Sequence, residues 1–224
     1  MSLLLYGHPF SSYTQKVLVA LFENDVPHSL LSLDDNALNH AQHTADWLER
    51  WPLRTFPLLV DADRSIVEAS VIVEYLQLAY PGAVPLLPED PLDALNVRFL
   101  DRFFDLHVIA LVQHAVGGAL SGDALKKQEA HTHAAEKLEL AYAWLEAHLA
   151  RNKAPWVAGA NFTLADCAAA PSLFYADWTH PISAAYPEVR AYRARLLARP
   201  SFARAVDGGR PFRHYFPLGA PDRD

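Results

Sequence analysis

The chain has 224 residues, 51% of them apolar and 20% charged, with a formal net charge of −7. That length suits one large domain or two modest ones with full cores, and the acidic balance excludes a broad nucleic-acid footprint. The single cysteine, Cys167, excludes an internal disulfide and a CxxC redox pair, so a reducing cytoplasmic compartment is the default expectation.

The opening "MSLLLYGHPF" lacks the basic lead of a signal peptide, and no apolar run is expected to approach a membrane span. "SLLLYG" reads as a short strand closed by Gly7 and Pro9. "SYTQKVLVALFEND" sets Val17, Leu18, Leu21 and Phe22 at helical spacing. "HSLLSL" is a second strand, and "HTADWLERW" a short helix. "FPLLVDADRSIVEA" reads as two strands joined at Asp61-Ala62-Asp63, and "ASVIVEYLQLAY" as a third helix stopped by Pro81-Gly82. The proline-rich "PGAVPLLPEDP" is the natural linker, and beyond it the period is helical throughout. A long apolar helix, "LDALNVRFLDRFFDLHVIALVQHAV", is expected to stop at Gly117-Gly118. A second, with charges on one face, spans "GDALKKQEAHTHAAEKLELAYAWLEAHLAR", and two more follow. The pattern predicts a βαβ-ββα domain over 1–80, a linker over 81–90, an all-α domain over 91–215 and a surface tail over 216–224.

Four short segments carry chemistry. In "HPFSSYTQKV" two adjacent serines stand where strand gives way to helix. No base is in evidence for a serine nucleophile: His8 precedes a proline, no Asp partner is suggested, and the segment is not a nucleophile elbow. In "TFPLLVD", Pro57 enters a buried strand, where its missing N–H is tolerated. In "EASV", Glu68 and Ala69 open a helix whose free N–H groups suit an anion. In "FTLADCAAA", Thr163 is the N-cap, Asp166 is N3, and Phe162 with Cys167 forms a hydrophobic staple, all structural work. Cys167 is then a small buried residue on an alanine-rich face. The spacings of His107 with His114, of His131 with His133 and of His40 with His43 do not make a metal site.

In order, "LYGHPFSSYTQKVLVAL", "RTFPLLVD", "EASVIVEYL" and "FTLADCAAAP" resemble the cytosolic glutathione transferase family, of the serine-type theta, delta and zeta-like classes. The resemblance runs from about Leu3 to Phe202. It implies a thioredoxin-like domain followed by an all-helical one, with glutathione as cosubstrate and a small hydrophobic electrophile as second substrate. It implies a cis bond at Phe56–Pro57, with Phe56 presenting its backbone to the tripeptide like an added strand. Glu68 would meet the ligand's amino group, and the N–H groups of Ala69 and Ser70 its γ-glutamyl carboxylate. Alanine at 69 departs from the serine usual there, a loss of roughly 0.5–1.5 kcal/mol. Arg54, with His43 behind it, is the candidate for the glycyl carboxylate.

The resemblance answers the question of the serines. The nucleophile would be the glutathione thiol, with a free pKa of about 8.5, and Ser11 would donate a hydrogen bond to its anion. Ser12 would cap the helix or touch the ligand, Tyr13 would be a second pocket residue, and Tyr6 is the reserve activator. Lowering the thiol pKa by two units is worth about 2.7 kcal/mol, so holding the electrophile close must supply the rest. Leu106, His107, Ile109, Ala110 and Gln113 are candidates for that pocket. The family is homodimeric and associated with detoxification. Two rivals stand beside conjugation. One is a zeta-like cis-trans isomerase of maleyl-type diacids, although Tyr13 replaces that class's cysteine; the other is a non-catalytic binding or regulatory protein.

Overall fold

A computed structural model describes residues 3–224; Ser2, the first residue of the expected opening strand, lies outside them. Strands β1 (Leu3–Gly7), β2 (His28–Ser32), β3 (Leu58–Asp61) and β4 (Arg64–Val67) form one sheet in the order β2-β1-β3-β4. β1 and β2 are parallel, with Leu5 opposite Leu30, while β1–β3 and β3–β4 are antiparallel. The strand period of two sorts side chains by face. Leu3, Leu5 and Leu59 pack under α1 (Ser12–Glu23) and α3 (Ala69–Ala79). Tyr6, Leu58 and Val60 pack on the other face with Trp47 of α2 (His40–Arg50).

The linker is pinned rather than loose. Asn24 at the end of α1 donates to the Val84 carbonyl and accepts from the Val84 N–H, at 2.9 and 2.8 Å. Gly82 is glycine because a Cβ there would strike the Asn24 side chain.

The helical part comprises α4 (Pro91–Phe104), a single π-helical turn (Asp105–Ile109), α5 (Ala110–Leu120), α6 (Ala124–Asn152), α7 (Leu164–Thr179), α8 (Pro187–Leu197) and α9 (Pro200–Gly209). All of α7 is buried, including Cys167, and it packs against α1 and α4. The expected capping box opens it: the Asp166 carboxylate accepts from the Thr163 N–H at 2.9 Å.

Three expectations need correction. The long helix passes through Gly117-Gly118 to Leu120, because Gly118 is a packing residue: a Cβ there would meet the Ala130 Cβ of α6 at 2.5 Å. By length and composition, Pro91–Leu120 does reach that of a membrane-crossing helix; only a third of its most apolar stretch is buried. The tail is not featureless. A 3₁₀ turn (Arg210–Tyr215) leads to Phe216, which is buried, and Asp224 returns to pair with Arg210 and Arg213.

Candidate functional site

A cleft of about 720 Å³ opens where the end of β1, the start of α1, the β3 entry and the start of α3 face the α4–α5 run. Ser11, Ser12 and Tyr13 form one wall, Phe56 and Pro57 a second, and Glu68 with Ala69 a third. Opposite them stand Arg102, Asp105, Leu106, Ala110 and Gln113. Leu106, Ala110 and Gln113 thus face the cleft, whereas His107 faces an outer groove and Ile109 is core. The Phe56–Pro57 bond is cis.

Ser11 is the N-cap of α1, with extended φ and ψ, and its Oγ accepts from the Thr14 N–H at 3.3 Å. A hydroxyl used as acceptor keeps its own hydrogen to donate. Ser12 begins the helix and is 3% exposed; its Oγ has no hydrogen-bond partner among the described residues. A buried hydroxyl in that state costs about 1–3 kcal/mol, which a polar ligand group would recover. Burial, then the charges of Asp105 and Glu68, pushes the Tyr13 phenol up to about 12. It therefore stays protonated at neutral pH and can serve as a donor.

α3 begins at Ala69 behind Glu68, which holds a left-handed φ of 68° and gives the helix no side-chain cap. The N-terminal N–H groups are left for an outside acceptor, beside a carboxylate suited to an ammonium. That pairing fits the zwitterionic amino-acid end of glutathione.

Several expected residues lie elsewhere. The Ser70 hydroxyl points down into an ionic network instead of the cleft. Lys16, 1% exposed, donates to Ser70 Oγ at 2.8 Å and pairs with Asp101 and Asp105 at 2.6 and 2.8 Å. Ser70 in turn donates to Asp101 at 2.8 Å, and Arg102 joins the same cluster. Only the Ser70 backbone remains for a ligand. Arg54 is exposed on a left-handed turn and is not among the residues that line the cleft, and His43 sits 3.2 Å from the Ser32 carbonyl. Tyr6 is buried against α2 on the far face of the sheet, so the strand period removes it as a thiol activator.

His8 does have an aspartate partner, contrary to expectation: its Nε2 lies 3.3 Å from Asp34 Oδ2. Its Nδ1 accepts the Phe10 N–H at 3.1 Å, so the Nε2 proton donates to Asp34. Both ring nitrogens are committed, and neither is left as a base for Ser11. The sequence reading also missed Tyr175, Tyr215, Phe216 and Pro217, all of which line the cleft. Nothing in a helical period marks which turn of α7 meets a loop 165 residues away, and the tail has no period at all.

Residues 5–84 match the glutathione S-transferase N-terminal domain model, and residues 128–195 match the C-terminal domain model. Glutathione S-transferase 3 of Zea mays is 32% identical, covering 90% of this chain and 92% of that one. A probable maleylacetoacetate isomerase of Vibrio cholerae is 27% identical over 94% of this chain and 98% of its own. A glutathione transferase homologue of Drosophila mojavensis, solved with bound glutathione, superposes with a TM-score of 0.76 at 25% identity, covering 94% of each chain. With an αβ domain that carries the cleft and a helical domain that closes it, this chain belongs to the glutathione S-transferase family.

Proposed function

We propose that the protein conjugates glutathione, the cosubstrate of its family, to a small apolar electrophile, with Ser11 as the thiolate donor. The observation that carries this is the Ser11 hydroxyl: its oxygen accepts the Thr14 N–H, which leaves its hydrogen to donate, and it lines the cleft. Glutathione supplies a sulfur nucleophile. Ser11 donates to the sulfur and stabilises its charge without losing a proton. Ser12 and Tyr13 offer further donors, Phe56 offers its backbone, and Glu68 with the N–H groups of Ala69 and Ser70 receives the amino-acid end. Leu106, Ala110 and Gln113 line the half left for the electrophile.

The test is turnover of a nitroaryl halide with glutathione by wild type and Ser11→Ala. Loss of one preorganised donor to a developing charge is worth about 10²-fold in kcat; unchanged rates would remove Ser11 from this role. The Vibrio cholerae relative favours a second reading, glutathione-dependent cis-trans isomerisation of a maleyl-type diacid. Turnover of such a keto acid, with none of the aryl halide, would select it. Calorimetry without glutathione binding would instead select a binding or regulatory role.

The domain bounds 1–80 and 91–215, with a tail over 216–224, and a cytoplasmic detoxifying role belong to the same proposal. So does a homodimer. Leu92, Leu95 and Phe99 are exposed along one side of α4, and a second copy would cover that face. Sedimentation at micromolar concentration as a monomer would refute the dimer.

A further inference from the structure

The turn that carries Ser11 is held from the other domain. The His8 carbonyl accepts the Ser11 N–H at 2.9 Å. The Pro9 carbonyl accepts from Gln15 Nε2 at 3.0 Å, and the Phe10 carbonyl from the Tyr175 hydroxyl at 2.7 Å. Gln15 Nε2 also donates to the Tyr175 oxygen at 3.2 Å, closing the set. Both side chains are buried, at 1% and 4% exposure. Tyr175 lies on α7, so its bond crosses between domains. The Phe10 ring meets the Tyr175 ring edge-on at 5.3 Å.

The geometry bears on one peptide plane in particular. The Phe10 C=O and the Ser11 N–H belong to the same rigid amide. Tyr175 holds its oxygen end and the His8 carbonyl holds its nitrogen end. That plane sets the direction in which the Ser11 Cα–Cβ bond leaves the backbone. Donor placement within a few tenths of an ångström decides how well a developing charge is stabilised, and an error of about 1 Å costs about 10²-fold.

We propose that Tyr175, seconded by Gln15, is a positioning residue for the Ser11 hydroxyl, through which the helical domain fixes the catalytic turn. This rests on the conjugation reading above. Tyr175→Phe keeps the ring and removes the hydroxyl that the Phe10 carbonyl uses. Bound glutathione is titrated by its thiolate absorbance in the ultraviolet. The thiol midpoint is expected to rise by about one pH unit, a tenfold loss of thiolate below the midpoint. At neutral pH, kcat falls about threefold, and about tenfold below the wild-type midpoint, while KM for the electrophile is unchanged. Gln15→Met, which leaves the Pro9 carbonyl without its donor, shifts the titration in the same direction and serves if the first variant misfolds.

Tyr192→Phe is the control, since it removes a comparably buried hydroxyl, bonded to Asp166 at 2.6 Å, away from the turn. It is expected to lower thermal stability and leave the thiol titration in place. If Tyr175→Phe titrates as wild type and loses only stability, as the control does, the positioning role is overturned and conjugation stands. If the wild-type protein itself shows no thiolate signal at any pH, the conjugation reading fails and takes this inference with it.

Discussion

In the helical domain α4 begins on Asp90, whose carboxylate accepts from the N–H groups of Leu92 and Asp93 at 2.9 and 3.0 Å. α6 begins on Asp123 in the same way. α7 has Asp166, and α8 borrows Glu146 from α6, which accepts from the N–H groups of Glu188 and Val189. At the cleft the pattern is reversed. α1 and α3 have no acidic residue in their first turns, and Glu68, although at the cap position of α3, makes no side-chain cap bond. A helix N-terminus carries about half a positive charge. Where the chain supplies its own carboxylate, that charge is used for folding. α2 and α9 lack such a carboxylate too, but only α1 and α3 open on the cleft, where an anionic peptide is the occupant that suits the charge.

The widest separation between the two kinds of helix start should come from Asp166→Ala. Asp166, itself fully buried, also accepts from the Val157 N–H and the Tyr192 hydroxyl, at 3.1 and 2.6 Å. Removing it strands four buried donors, each costing about 1–3 kcal/mol, so a loss of at least about 4 kcal/mol is expected in denaturant unfolding. Glutathione affinity should not follow. A parallel loss of affinity at temperatures where the variant is fully folded would break the division of labour.

Ala69→Asp does the opposite, giving α3 the acidic first turn that α4, α7 and α8 have. The helix should gain a few tenths of a kcal/mol from its dipole. Calorimetric affinity for glutathione should fall at least about tenfold, because the new carboxylate occupies the N–H groups and repels the ligand's own charge. Unchanged affinity would mean that the α3 start is not where the ligand's carboxylate sits.

Glu146→Ala is a milder test on the structural side. It removes the borrowed cap of α8, for which about 1 kcal/mol is expected. Thermal unfolding should register it and conjugation rates should not.

These contrasts also show what the amino-acid order could disclose. The capping box of α7 and the entry proline of β3 are local, written within a few residues, and each is legible. Only the backbone N–H of Ser70 is expected at the ligand, and nothing local tells that its hydroxyl answers to Lys16, Asp101 and Asp105, brought in from α1, α4 and the π turn. The same holds for the His8–Asp34 pair and for Tyr175 on the Phe10 carbonyl. A bond across 26 or 165 residues leaves no mark on local spacing. Gly117-Gly118 misled for a related reason: glycine can end a helix or let another helix approach, and only the presence of Ala130 decides between the two.

The smallest effect is the sharpest probe of the cleft side. Ala69→Ser adds one hydroxyl beside the α3 N–H groups, at a position 6% exposed that lines the cleft. A serine there can donate to a ligand carboxylate, which the present side chain cannot. One added hydrogen bond to a charged acceptor, net of desolvation, is worth about 0.5–1.5 kcal/mol, so calorimetry should show the glutathione Kd tightening by roughly two- to tenfold. Because Ser11 is untouched, the thiol titration and kcat at saturating glutathione should stay where they are. A shift in the titration without a change in Kd would place the added hydroxyl against the sulfur end of the ligand, and the orientation assigned to the tripeptide would have to be reversed.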